Sequence, residues 1–249
     1  MSALFDSRQR FTAIVAGLVC HLSFLLGIAA MIAGLFFGMT RGFGPFHGSA
    51  AWIADGLLLL QFPLVHSFLL SQRGGRLLAR LTPLGLGSDL RTTTYATVSS
   101  WQLMLVFGLW SPIGAIWWEP TGLALAVCSV LYAASWILLL KTMADAGLPL
   151  QTGFLGWSAV ARNRKPRFKR FPVEGTFGLI RQPVYFAFTL TLWTAPVWTA
   201  DRLLIAVAWT AYCLLGPLLK EQRYLRYHGN DFAEYRRRVP YWVPRLTNR

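Results

Sequence analysis

The sequence predicts an all-α integral membrane protein with about six transmembrane helices, a C-terminal helical hairpin and a cytoplasmic tail. Of its 249 residues, 55% are hydrophobic and only 14% are charged, whereas a soluble domain carries about 25% charge. The apolar residues form long continuous runs, and a run of about 20 residues spans a bilayer. Backbone groups in lipid must pair internally, so these runs form helices, because barrel strands would alternate with period two.

Six apolar segments are the predicted spans, and positive charge orients them. They are residues 11–37, 51–70, 94–117, 121–140, 184–200 and 202–219. Of the 24 Lys and Arg residues, all but Arg41 and Arg202 lie at the two chain ends or in alternate connections. Cytoplasmic loops carry this excess. Both termini are therefore expected in the cytoplasm, with the chain as a multi-pass protein of a bacterial inner membrane.

The last two segments are short and meet near Asp201, which predicts a tight helical hairpin. Pro196 and Pro217 are expected to kink its helices, because proline removes a backbone donor and its ring clashes with the preceding turn.

The net charge of +14 does not indicate a nucleic-acid partner. The basic residues lie between apolar runs, where the positive-inside rule and anionic headgroups place them, so the expected partner is the lipid bilayer. Cys20, Cys128 and Cys213 all fall inside apolar runs. This placement predicts small buried residues rather than a disulfide framework or a metal site.

The chain divides into three predicted segments. Residues 1–140 form a four-helix transmembrane front part. Residues 141–183 form a basic cytoplasmic loop that ends in the start of a cofactor box, and residues 184–249 form the hairpin and tail that complete the cofactor site. A connection as long as 141–183 is usually functional or disordered.

The densest polar signal lies around Arg181 and Glu221. Arg181 begins one helix of the predicted hairpin and Glu221 ends the other, so antiparallel packing brings them to the same side. Pro183 suits a first helical turn, whose free N–H groups bind anions, and Arg181 can bind a carboxylate bidentately. Glu221 can accept bonds from ribose hydroxyls or an ammonium. This pocket suits a zwitterionic nucleotide-like cofactor, with an ordinary interfacial ion pair as the alternative.

Three motif segments follow one another over residues 175–240. They read Gly175-x-Phe177-x-x-x-Arg181-x-Pro183-x-Tyr185, then Glu221-x-x-x-Leu225, then Gly229-x-x-Phe232-x-x-Tyr235-x-x-x-Val239-Pro240. Their order and spacing resemble the isoprenylcysteine carboxyl methyltransferase and phospholipid methyltransferase superfamily. In that group an Arg-His-Pro-x-Tyr box and a Glu-Glu pair lie at the S-adenosylmethionine site.

The resemblance implies a membrane-embedded, S-adenosylmethionine-dependent methyltransferase that methylates a small thiol or a lipophilic acceptor. It implies catalytic roles for Arg181, Glu221 and Arg238, with Arg238 at a cytoplasmic lid. The cofactor contacts that it implies are Phe177, Arg181, Gln182, Pro183, Tyr185, Glu221 and Tyr235.

Two positions depart from the pattern of the superfamily. Gln182 stands in place of the box histidine, and it can still donate and accept a hydrogen bond. Lys220 stands in place of the first glutamate and reverses its charge. On a helix, Lys220 and Glu221 point about 100° apart, so Lys220 can extend to lipid headgroups instead.

The front part adds a second, separate resemblance. Three segments resemble the branch with the methanethiol S-methyltransferases: residues 61–67, which include His66, the basic segment 73–80, and residues 91–95. That branch is also similar to the NnrU family, which includes a haem-containing isomerase. An ionisable residue inside a span is a functional hypothesis by default. His66 could contact substrate, act as a base, or ligate haem together with His21; a neutral histidine bonded to a neighbouring helix is the alternative. A haem-binding protein with a redox or isomerase role and an inactive scaffold are the alternative functions.

Overall fold

The structure is a computed structural model that describes residues 4–244, and it is mostly helical. The basic residues Arg245 and Arg249 of the predicted tail lie outside the described residues. The elements in chain order are α1 (Ser7–Phe36), α2 (Gly48–Leu69), α3 (Gln72–Arg80), α4 (Arg91–Gly108), β1 (Ile116–Trp118), α5 (Gly122–Asp145), α6 (Leu148–Gln151), α7 (Phe154–Ala161), α8 (Thr176–Leu179), α9 (Pro183–Thr194), β2 (Trp198–Thr199) and α10 (Ala200–Arg238).

Four helices of the described chain, α1, α2, α5 and α10, are long and apolar enough to cross a membrane. They identify an integral membrane protein and confirm that part of the prediction, whereas the count of six spans stays a prediction. The predicted span 184–200 corresponds to α9, whose 12 residues rise only about 18 Å against a hydrocarbon core of about 30 Å. The predicted span 94–117 was wrong at its end, because α4 stops at Gly108 and Ile116–Trp118 is a strand.

The connection between α9 and α10 is a hairpin, as predicted, but its prolines act differently. The helix α9 ends at Thr194, and Ala195 before Pro196 is extended with ψ of 147°, because a residue that precedes proline avoids the helical region. Pro196 thus terminates α9 rather than kinking it. Strand β2 then pairs with β1 in antiparallel register, Ile116 opposite Thr199. In α10 the one residue with non-helical angles is Gly229, with φ of 51°, and not Pro217.

The chain forms two compact units. One takes in the chain up to Ala115 together with Leu148–Phe168, and the other takes in Ile116–Gly147 together with the chain from Lys169 onward. These boundaries differ from the three predicted segments, whose functional division stays a prediction.

In the first unit, α1 packs against α4 and α7 along a seam of small residues. The buried positions of α1 are Ala13, Gly17, Cys20, Ser23, Gly27, Met31 and Leu35. Small residues let helix backbones approach closely where lipid supplies no hydrophobic drive for helix association. Hydrogen bonds reinforce the seam, since the Trp101 indole N–H donates to Ser23 Oγ at 2.9 Å.

Between α2 and α4, polar side chains pair with one another inside apolar helices. The Gln102 side-chain amide donates to Gln61 Oε1 at 2.8 Å and to the Gln61 carbonyl at 3.1 Å. The Gln61 side-chain amide donates back to the Gln102 carbonyl at 3.2 Å. An unpaired amide in hydrocarbon costs several kcal/mol, so this reciprocal pair fixes the register of the two helices.

In the second unit, Arg202 holds the hairpin together. Its side chain is fully buried and donates to the carbonyls of Val197 at 2.7 Å and Leu192 at 3.2 Å. Its guanidinium also lies 3.8 Å from the centre of the Trp198 ring. Arg202 therefore satisfies carbonyls at the end of α9 that have no helical partner, which explains a buried cation in this turn.

Substitution of two helical glycines by alanine is expected to change the stability of the protein in opposite directions. A Cβ on Gly27 would lie 2.9 Å from the Ser100 carbonyl oxygen, whereas a Cβ on Gly56 meets nothing within 4 Å. Gly27→Ala is expected to lower the free energy of unfolding by about 1–3 kcal/mol, because the backbone of α4 must move. Gly56→Ala is expected to leave it unchanged or raise it by up to about 1 kcal/mol. Thermal unfolding in detergent measures both, and equal shifts in the two variants would contradict the packing described.

Candidate active site

The first motif segment begins at a backbone position that only glycine fits. Gly175 has φ of 61° and ψ of −131°, a region closed to residues with a Cβ. A Cβ there would also lie 2.6 Å from Asp145 Oδ2. That oxygen instead accepts hydrogen bonds from the Thr176 backbone N–H at 2.9 Å and the Thr176 hydroxyl at 2.8 Å. The end of α5 thus anchors the segment that carries Phe177 and Arg181.

Arg181 joins both ends of the motif. Its Nε donates to Glu221 Oε1 at 2.9 Å and its Nη2 to Oε2 at 3.4 Å, with side chains only 11% and 6% exposed. Its Nη1 donates to the carbonyls of Arg236 at 2.7 Å and Val239 at 2.8 Å. The Arg181 backbone N–H donates to Pro240. Four of its five side-chain N–H groups are therefore used within the protein.

Gln182 is the one buried residue here with an unused acceptor. Its side chain is 1% exposed, and its Nε2 donates to Glu221 Oε1 at 2.7 Å. Its Oε1 is buried and accepts no hydrogen bond from any described residue. A buried acceptor without a donor costs about 1–3 kcal/mol, so this oxygen fits a ligand that donates to it. Pro183 follows at the first position of α9, as predicted.

The third motif segment supplies one wall of a cleft. Gly229 breaks α10 with positive φ, and the helix resumes with Phe232 and Tyr235, three residues apart and both buried. The Tyr235 hydroxyl donates to the Phe177 carbonyl at 2.8 Å. The glycine therefore provides the change of direction, and the two aromatic residues provide the contact face.

The cleft is small and closed by an aromatic side chain. It leaves room for only about 10 Å³, far below the range of about 300–1,000 Å³ usual for small-molecule sites. Phe171 covers it, with its ring centroid 5.0–5.9 Å from the rings of Tyr224, His228, Phe232 and Tyr235. A nucleoside-sized ligand would have to displace Phe171. Sequence reasoning missed this residue, and the Phe171-Pro172 step after the basic run was the only signal for it.

Lys220 also lines the cleft, together with Arg181 and Gln182. Its Nζ lies 5.0 Å from the centre of the Tyr185 ring and 6.0 Å from that of Tyr224. No carboxylate of the described residues lies within ion-pair distance of it. Lys220, which departs most from the motif, therefore places a cation at the cleft. Its side chain is half-buried against the faces of two aromatic rings.

Tyr241, beyond the motif, covers the outer side of Arg181. The guanidinium carbon lies 5.4 Å from the centre of its ring, and the Tyr241 hydroxyl donates to the Leu214 carbonyl at 2.6 Å. Burial raises the pKa of Tyr241 to about 12, so this hydroxyl remains a donor at neutral pH.

Arg238 does not line the cleft. Its side chain is 64% exposed and lies 3.7 Å from Glu234 on the same helix. A contact across that distance between two exposed groups contributes little. The structure brings Phe177, Arg181, Gln182 and Tyr235 to the cleft and Glu221 into contact with Arg181 and Gln182. It leaves Arg238 at the surface, so the role of Arg238 at a lid stays a prediction.

His66 belongs to the first unit and has both ring nitrogens engaged. Its Nε2 lies 2.6 Å from the Tyr95 hydroxyl and its Nδ1 lies 3.1 Å from Ser99 Oγ. Its ring stacks on Phe62 with centroids 4.9 Å apart. His21 likewise accepts from the Trp157 indole N–H at 3.0 Å. Ligation of haem iron by His66 would require breaking one of its two hydrogen bonds, and the geometry favours the histidine bonded to a neighbouring helix.

Comparison with known proteins confirms the resemblance that the motifs indicated. The chain is 27% identical to methanethiol S-methyltransferase 1 of Bradyrhizobium diazoefficiens, over 94% of this chain and 83% of that protein. It is 28% identical to methanethiol S-methyltransferase of a Pseudomonas species, strain GM41(2012), over 95% and 91%. It is also 28% identical to nurim of Rattus norvegicus, over 72% and 70%. No family model matches the chain.

The contacts of Arg181 indicate that this one side chain holds the C-terminal segment, residues 236–240, in place. Arg181→Lys is expected to release residues 236–240, because an ammonium cannot reach Glu221 and two carbonyls together. We expect faster proteolysis after Gly229 and a free energy of unfolding lower by about 3 kcal/mol. Arg238→Lys is the matched control, and it should leave both unchanged. Equal protease resistance in the two variants would mean that Arg181 does not hold the segment.

Proposed function

We propose that this chain is a membrane-embedded methyltransferase and, more particularly, that it transfers a methyl group from S-adenosylmethionine to a small thiol. The geometric observation that carries the proposal is the buried Gln182 acceptor without a donor, which lies beside the Glu221 carboxylate under an aromatic cover. The similarity to several proteins named methanethiol S-methyltransferase, over most of the chain, supports the reaction and the acceptor class.

The residues of the cleft fit a cationic nucleoside. Gln182 Oε1 would accept a hydrogen bond from the cofactor, and the Glu221 carboxylate would offset its positive charge. The rings of Tyr224 and Phe232 offer π-faces of the kind on which an adenine stacks and toward which a cation is attracted. When bound, S-adenosylmethionine supplies an electrophilic methyl group on a sulfonium. Phe177, Pro183, Tyr185 and Tyr235 would complete its surroundings.

Glu221 and Arg181 have a positioning role in this proposal. The ion pair fixes the carboxylate through two contacts and Gln182 adds a third, so the negative charge is held in one place before any ligand arrives. Such preorganisation avoids rearrangement during the reaction. Phe171 would exclude water once it closes again over a ligand, and exclusion of water strengthens each charge interaction within the cleft.

Lys220 would act on the acceptor. A thiolate is a far better nucleophile than a thiol, and a nearby cation lowers the pKa of a thiol. Lys220 places an ammonium at the cleft without a carboxylate partner within ion-pair distance, and so it favours the thiolate form. The thiol proton leaves to solvent.

We further propose six spans with both termini in the cytoplasm of a bacterium, so that the cleft opens toward the cytoplasmic face of the inner membrane. The distribution of Lys and Arg over alternate connections supports this orientation. On this topology the short helix α9 is the fifth span and forms one arm of the hairpin with α10. On this topology Arg238 would lie at the cytoplasmic surface, next to the cleft wall formed by Tyr235.

Binding of the intact cofactor tests the site directly. Wild-type protein in detergent should bind S-adenosylmethionine in a saturable manner by calorimetry. Gln182→Met should weaken binding about tenfold, because a buried hydrogen bond is worth about 1–1.5 kcal/mol. Glu221→Ala should abolish it. The matched control Glu234→Ala removes an exposed carboxylate and should bind like wild type.

Folding of each variant is checked by circular dichroism. Absence of binding in wild-type protein would overturn the cofactor assignment and favour an inactive scaffold. Binding that Gln182→Met and Glu221→Ala leave intact would place the cofactor elsewhere.

The role of Lys220 predicts a change in the pH dependence of thiol methylation. Lys220→Met should lower the rate with methanethiol about tenfold at neutral pH, because the thiol then ionises without a cation. The rate should recover as the pH rises, since more thiolate then forms in solution. Lys220→Arg should retain the wild-type profile, and Lys169→Met serves as an exposed control. Identical pH profiles for wild type and Lys220→Met would exclude a role in ionising the acceptor.

A further inference from the structure

A second cleft lies in the first unit, at the end of α7. It encloses about 600 Å³, within the range usual for ligand sites. One part of its wall is apolar, with Leu4, Leu155 and Ala159. The rest is strongly basic, with Arg162, Arg164, Lys165 and Arg167. A wall that is half apolar and half cationic fits an amphiphile with a negative head.

The backbone that carries these cations is fixed. Asn163 is left-handed with φ of 56°, which asparagine tolerates well. Its N–H donates to Val160 and the Arg164 N–H donates to Ala159, the bond pattern of a Schellman motif. The Asn163 side-chain oxygen also accepts the Phe5 N–H at 2.9 Å. The basic segment thus starts from a rigid turn that is tied to the N-terminal segment.

The four cations are not equivalent. Lys165 pairs with Asp89 at 3.1 Å and its Nζ lies 5.0 Å from the centre of the Phe5 ring. The Arg162 guanidinium lies 6.0 Å from the centre of the Phe154 ring. Arg164 and Arg167 are exposed, and neither forms an ion pair with any residue of the described chain. No Asp or Glu occurs between Asp145 and Glu174 in the sequence, so local acidic residues do not neutralise them.

We propose that this cleft binds the headgroup of an anionic phospholipid, with Arg164 and Arg167 on the phosphate and the apolar wall against the glycerol and upper acyl chain. Arginine recognises phosphate through paired N–H groups. Basic pockets at the cytoplasmic ends of membrane helices bind such headgroups, and the predicted topology places the end of α7 there. The apolar part of the wall favours a lipid over a free anion, which has nothing to bury against Leu4 and Leu155.

The experiment is a titration of detergent-purified full-length protein with phosphatidylglycerol, followed by microscale thermophoresis. Parallel titrations use phosphatidylcholine and glycerol 1-phosphate. The double variant Arg164→Gln/Arg167→Gln is compared with Arg73→Gln/Arg76→Gln, which removes two exposed arginines outside the cleft. Wild type and the control should bind phosphatidylglycerol alike. The cleft variant should bind about 30-fold more weakly, because each of the two cations contributes about fivefold at a membrane surface.

Three outcomes would overturn the proposal. Equal weakening in both double variants would indicate general attraction to negative charge. Phosphatidylcholine binding as tight as phosphatidylglycerol binding would remove the role of the headgroup charge. Glycerol 1-phosphate binding as tight as the lipid would assign the cleft to a soluble phosphate. The measurement is independent of methyl transfer, and circular dichroism of the variants excludes unfolding as the cause of any loss.

Discussion

The bidentate contact of Arg181 with Glu221 is the interaction on which the C-terminal unit depends. It joins the start of α9 to the middle of α10, while the remaining donors of the same guanidinium hold the carbonyls of Arg236 and Val239. A buried ion pair stabilises only when further hydrogen bonds satisfy both partners. Here carbonyls satisfy the cation and Gln182 satisfies the anion, so the charges can remain buried. The candidate cleft exists because this network holds its walls together.

The sequence predicted the identity of the helices better than their ends. Long apolar runs predicted α1, α2 and α5, because hydrocarbon leaves a chain few alternatives to a helix. Hydropathy did not predict the end of α4 or the β1–β2 pair, since residues 109–118 remain apolar after the helix stops. The motif spacing predicted that Arg181 and Glu221 meet. It did not predict that Phe171 covers the cleft, because the contacts of Phe171 with Phe232 and Tyr235 depend on the turn at Gly229 and on three-dimensional packing rather than on any local pattern.

Polar residues inside the apolar helices have a common explanation in this chain. Gln61 and Gln102 hydrogen-bond to each other, Arg202 donates to the carbonyls of Leu192 and Val197, and His66 lies between Tyr95 and Ser99. From the sequence alone, each of these polar residues would be a candidate functional residue, because it lies within an apolar segment. Each instead completes hydrogen bonds that lipid cannot supply. Gln102 Oε1 and Gln182 Oε1 are both buried acceptors that receive no hydrogen bond from the described residues. Gln182 differs from Gln102 in its place, because it lines the candidate cleft.

One of the two departures from the motif, Lys220, changes the charge of the cleft. A box with histidine and two glutamates beside one arginine has a net charge near −1 when the histidine is neutral. Here Arg181 and Glu221 cancel, Gln182 is neutral and Lys220 adds one positive charge. A cleft of positive charge attracts an anionic acceptor and repels a cationic one, and at short range in a partly buried site such differences amount to several kcal/mol. A small thiolate meets this requirement, whereas a protonated amine does not. The lysine at position 220 thus favours an anionic acceptor over a cationic one.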